Sequence, residues 1–150
     1  MKVYLDICCL KRPFDDQRQE RVRIETEIVL GIVAAFELGQ ITLVRSPAHD
    51  LENNQNSLHW RAERARLLLE RVGFIAPSSA TDDNMRTRVA DLMARGFRNF
   101  DALHLAYAEA LSADRFVTCD DGLLVRARRQ APDIRVRVVS LIEFAQEVFE

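Results

Sequence analysis

Short apolar runs alternate with longer stretches of helical spacing along this chain, and few fold classes accept that pattern. Residues 1–5, 41–44, 74–76, 115–118 and 136–139 are each compact and apolar, the signature of strands buried in a parallel sheet. Between the first two, Ile24, Ile28, Ile32 and Ala35 recur at helical spacing in a long helix over residues 21–38, which Gly39 stops. Ser46-Pro47 supplies an N-cap and a first-turn proline for a short helix carrying Glu52. Further helices are predicted from Ser57 to Gly73, from Thr81 to Gly96, from Asp101 through Ala110, over residues 121–129, and after the Ser140-x-x-Glu143 capping box. Residues 11–20, KRPFDDQRQE, read as a charged loop. Alternating strands and helices with few hairpin signals predict an α/β sandwich on a mainly parallel, five-stranded sheet. In such a sheet, ligands sit beyond the carboxyl ends of the strands.

The 150 residues suit one domain, residues 1–150, and 48% hydrophobic content supplies a sizeable core. A net charge of −2 argues against a strongly basic nucleic-acid binder, yet leaves room for a basic rim around an acidic pocket. Charges interrupt every apolar run before it could span a bilayer, and Asp6 breaks a signal-peptide layout. The expected location is the cytoplasm, with no membrane partner. Cys8, Cys9 and Cys119 are odd in number and lack a CxxC pair, so spacing predicts neither a disulfide framework nor a zinc site. They read as structural thiols.

Chemistry is expected from acidic residues. Asp6 ends the first strand, Glu52 follows the second, Asp101 lies at a helix start, and Asp120 follows residues 115–118. Each singly reads as a cap or a solvated charge. Together at the strand-to-helix junctions of one sheet they would repel unless a cation neutralised them. Hard oxygen ligands select Mg2+ or Mn2+, and such an ion makes a phosphodiester the natural substrate.

The segments YLDICCLKRPFDDQ, SPAHDLENNQN, NFDALHLAYAEALSADRFVTCDDGLL and VRVVSLIEF resemble PIN-domain proteins, close to VapC-like toxins, over nearly the whole chain. The resemblance implies a PIN-like three-layer sandwich with helices on both faces of the sheet. It implies a metal site at Asp6, Glu52, Asp101 and Asp120, metal-dependent hydrolysis of RNA, and service as the toxin of a type II toxin-antitoxin pair, with an antitoxin protein as partner. Many members follow the first Asp with Thr or Ser and then Asn. Ile7 and Cys8 stand there in this chain, so a supporting hydrogen bond is expected to be missing. Asp50, near Glu52, competes for the second position, and Asp121 is either a helper of Asp120 or the helix cap.

His104 shares a helical face with Asp101 and reads as a packed histidine or one that orients a carboxylate. Lys11, Arg12 and Arg126 follow strand ends and are candidate phosphate contacts to the RNA substrate. The helix over residues 21–38 carries more apolar positions than one core face needs, which predicts a homodimer. Two other readings remain open. One is a non-catalytic PIN-like module that binds RNA or protein. The other is phosphotransfer through an aspartyl phosphate, although Cys8 occupies the place of the second Asp of such phosphatases, and only Lys2 and Lys11 could serve where a receiver needs a late Lys.

Overall fold

The computed structural model of the chain describes residues 1–72 and 82–149. Its sheet is entirely parallel: β1 (Lys2–Leu5), β2 (Thr42–Val44), β3 (Arg115–Thr118) and β4 (Arg137–Ser140) lie in the order β2-β1-β3-β4. The sheet therefore has four strands among the described residues rather than the expected five, because the expected strand at residues 74–76 lies outside them.

Successive strand residues point to opposite faces, and both faces are apolar. Val3, Leu5, Val117 and Val139 pack on one side with α1 (Ile7–Lys11), α2 (Glu20–Glu37), α4 (His59–Val72) and α8 (Leu141–Phe149). Tyr4, Val44, Phe116 and Val138 pack on the other with α5 (Asp82–Ala94), α6 (Asn99–Ala110) and α7 (Asp121–Arg129). Helices on both faces are compatible with a three-layer sandwich. No helix among the described residues is long and apolar enough to cross a membrane.

Strand order reverses between β1 and β3. The chain leaves β1 towards β2 on one side and then returns to build β3 and β4 on the other. At such a switch point the connections diverge and leave a crevice at the carboxyl ends. Asp6 follows β1 there, and its backbone N–H extends the ladder to the Val117 carbonyl at 2.9 Å. Register then sets Asp6 beside Thr118, the last residue of β3.

Local capping builds the rest of this rim. The Asp6 carboxylate accepts from the Ile7 N–H at 2.8 Å and starts α1, so part of the segment between the first strand and the long helix is helical, continuing through a 3-10 turn at Arg12–Phe14. Ser46 caps α3 (Pro47–Asn53) by accepting from the Ala48 N–H at 3.2 Å, and His49 Nδ1 accepts from the Ser46 N–H at 3.1 Å. His49 thus fills the reciprocal role that Glu or Gln plays in most capping boxes. The predicted box at α8 forms in both directions, Glu143 N–H to Ser140 Oγ at 3.1 Å and Ser140 N–H to Glu143 Oε2 at 2.8 Å.

Because His49 Nδ1 accepts, its proton sits on Nε2, which donates to the Leu5 carbonyl at 2.6 Å while the ring stacks on Tyr4. Burial holds its pKa down, to about 3. The unfolded chain therefore takes up a proton near pH 6.5 that the native state refuses, and stability falls as pH drops from there towards about 3. His49 is expected to contribute up to about 1.4 kcal/mol per pH unit to that loss. Urea unfolding across this range checks it: His49→Gln should show a shallower pH slope than wild type, and equal slopes would contradict a neutral buried His49.

Candidate metal centre

Asp6 is the most buried of the four carboxylates, at 4% exposure. Its Oδ1 takes the Ile7 amide, and its Oδ2 accepts from the Thr118 hydroxyl at 2.8 Å and from the Cys8 thiol at 3.4 Å. Ile7 and Cys8, where a supporting hydrogen bond is expected to be missing, thus each donate to Asp6, and Thr118 of β3 adds a third contact. Burial raises the Asp6 pKa well above the usual carboxylate range.

Thr118 has a second task. While donating to Asp6, its Oγ1 accepts from the Asp120 N–H at 3.1 Å, fixing the backbone turn out of β3. Asp120 then caps α7 by accepting from the Leu123 N–H at 3.1 Å, and it stays exposed. The spacing Thr-x-Asp has a mechanical reason: one hydroxyl couples two acidic residues from different strands. Asp121 faces elsewhere, bridging to Arg21 of α2 at 2.8 and 2.9 Å, which holds its carboxyl below the ordinary value.

Glu52 sits on α3, partly exposed, with Oε1 3.1 Å from His104 Nε2. Asp50 turns away to Arg45 at 2.5 Å, so Glu52 is the acidic residue that α3 contributes. His104 is fully buried on α6, and its Nδ1 lies 2.7 Å from the Tyr4 hydroxyl, which also meets Ser46 Oγ at 2.6 Å. A chain of contacts therefore runs Ser46–Tyr4–His104–Glu52. Burial alone would lower the His104 pKa, but the hydrogen bond with Glu52 and the charges of Asp6, Glu52 and Asp101 raise it above the ordinary value. Both readings of His104 meet this geometry, since the ring is packed with its two nitrogens engaged and one of them meets a carboxylate.

Ligand atoms of Asp6, Glu52 and His104 all lie within 4.8 Å of one another. Asp101, in the first turn of α6, is half-buried, and its pKa is raised by burial first and then by the charges of Asp120 and Glu52. The helix begins at Asn99, two residues before the expected start. The acidic residues from two connections and two helices therefore act on one another electrostatically at the switch point. Each ring nitrogen of His104 offers one site and both are taken, whereas the carboxylates keep unused lone pairs, so the donors left are carboxylate oxygens, a set that fits a hard cation such as Mg2+ or Mn2+.

The candidate phosphate contacts differ among themselves. Lys11 ends α1, partly exposed. Arg12 is tied into the fold by Asp15 at 3.0 Å and the buried Glu25 at 3.6 Å, and Arg126 of α7 lies against Gly96. Tyr4 and Thr118 were not among the expected site residues. A tyrosine in a central buried strand must find a hydroxyl partner, and that need is the signal that points to it. The chain matches no family model, no curated protein and no solved structure.

Proposed function

We propose that this chain is a magnesium- or manganese-dependent endoribonuclease with a PIN-like fold, acting as the toxin of a type II toxin-antitoxin pair. The convergence of Asp6, Glu52 and His104 at the switch point, with Asp101 under the charge of Glu52 and Asp120, carries this reading. The sequence resemblance supplies the substrate class, RNA, and the antitoxin partner.

Asp6, Glu52, Asp101 and Asp120 would hold the cation. When bound, it supplies charge neutralisation at a phosphodiester and a lowered pKa for the attacking water. The protein's own groups do the positioning. Thr118 keeps Asp6 Oδ2 fixed, and the contact with His104 limits the rotamers open to Glu52. The apolar cores on both faces of the sheet hold these connections in place. Of the three candidates, Lys11 and Arg126 are the ones left to meet RNA phosphates, since Arg12 is already paired. Ile24, Leu30 and Leu38 remain exposed on and just beyond α2, in keeping with a homodimer through that helix.

Purified protein should cleave RNA with Mg2+ or Mn2+, leave 5′-phosphate ends, and stop in EDTA. Asp6→Asn, Asp101→Asn and Asp120→Asn should each lose about a hundredfold or more in rate. Thr118→Val and His104→Ala act through a ligand rather than as one, and should lose about tenfold. Denaturing gels of end-labelled RNA read these outcomes, and full activity in Asp101→Asn would refute the assignment. Light scattering after size exclusion should give a dimer mass at micromolar concentration, whereas a strict monomer would remove the α2 interface.

A further inference from the structure

The fold brings together three thiols that sequence spacing kept apart. Cys8 and Cys9 lie on α1 and Cys119 follows β3, yet the parallel pairing of β1 with β3 sets the two connections side by side. The three sulfurs lie within 4.8 Å of one another, and all three cysteines are free. We propose that Cys8, Cys9 and Cys119 form a thiolate site for a thiophilic cation of the zinc type, beside the acidic pocket, which it touches where Cys8 Sγ lies 3.4 Å from Asp6 Oδ2.

Zinc–thiolate bonds of about 2.3 Å set coordinating sulfurs roughly 4 Å apart, so the trio closes on an ion with movements under about 1 Å. The Cys119 N–H points at Cys8 Sγ at 3.4 Å, the kind of outer contact that orients a ligating sulfur, while the Thr118 hydroxyl, 3.6 Å from the same sulfur, keeps its proton on Asp6. Cys9 Sγ rests 3.4 Å from the Val117 carbonyl as its thiol donor and Cys8 Sγ donates to Asp6 Oδ2 at 3.4 Å, contacts both thiols give up on binding. Cys9 and Cys119 are buried while Cys8 keeps some exposure. Each ligating thiol passes its proton to solvent, and the fourth position falls to water. Soft sulfur donors prefer zinc, cadmium or cuprous ions, whereas the neighbouring carboxylates prefer hard ions, so the two sites sort cations by chemistry.

Cadmium is the probe, since sulfur-to-cadmium charge transfer absorbs in the ultraviolet. Titration of the fully reduced whole chain with Cd2+ under anaerobic conditions should give a charge-transfer band that saturates at one equivalent. Bound Cd2+ should also protect the three thiols from a thiol-reactive dye. Cys119→Ser and Cys8→Ser should each weaken Cd2+ binding at least tenfold, while Glu52→Gln, in the acidic pocket, leaves it unchanged. The dye-protection measurement needs no variant and decides the matter if a cysteine variant fails to fold. Absence of the band, unprotected thiols, or loss of Cd2+ binding in Glu52→Gln but not in Cys119→Ser would overturn the proposal.

Discussion

A carboxylate buried where the order of a parallel sheet reverses has to be compensated from every side, and Asp6 is in that position. Its two oxygens take an amide from α1, a hydroxyl from β3 and a thiol from α1. None of these donors carries a positive charge, so they satisfy hydrogen bonding without neutralising the group. The raised pKa of Asp6 expresses that shortfall. Thr118 is the pivot, because the hydroxyl that serves Asp6 also fixes the turn to Asp120. The acidic pocket and the start of α7 thus depend on one side chain at the end of β3.

Around this pivot the electrostatics have a definite hierarchy. For Asp6 and Asp101, loss of water is the first cause of the raised pKa, and repulsion among carboxylates adds to it. The buried His104 works in the opposite sense, since its proton is favoured by the acids around it. The site is therefore poised for positive charge, with His104 as the only titratable cation that touches one of the four proposed ligands among the contacts described. Arg21 and Arg45 are drawn off by Asp121 and Asp50, neighbours in sequence of the proposed ligands. Arginine is thereby engaged at the rim while the carboxylates of the pocket are left for another cation.

Much of this was legible from residue pattern. The four described strands, the helix after Ser46-Pro47, the reciprocal cap at Ser140 and Glu143, and the positions of Asp6 and Asp120 at strand ends all follow from apolar runs and capping chemistry. These signals are local, so a linear reading captures them. What escaped was contact between elements far apart in sequence. Thr118 reaches Asp6 across 112 positions, and Tyr4 reaches His104 across 100. The cap role of His49 leaves no mark in the residue pattern, because it depends on a ring nitrogen rather than a carboxylate. The cysteines escaped for the same reason: Cys119 meets Cys8 only through strand pairing. Asp50 and Glu52 could be separated only by the direction each takes from α3.

The central claim is that Asp6, Glu52, Asp101 and Asp120 share one cation, and metal-linked stability tests it without any substrate. With folded pKa values of Asp6 and Asp101 raised above the unfolded ones, the metal-free native state binds more protons than the unfolded chain. Its stability from these groups is present at low pH and is lost as pH rises from the ordinary carboxylate value through the raised folded values. Thermal melts at neutral pH of wild type and Asp101→Asn, each in EDTA and in Mg2+, isolate this contribution. The account predicts a higher Tm for Asp101→Asn than for wild type in EDTA. Magnesium should stabilise the wild type by up to about 2.7 kcal/mol at a hundredfold excess over Kd, and most of that gain should vanish in the variant. A wild type unmoved by magnesium, with Asp101→Asn no more stable in EDTA, would contradict a shared site.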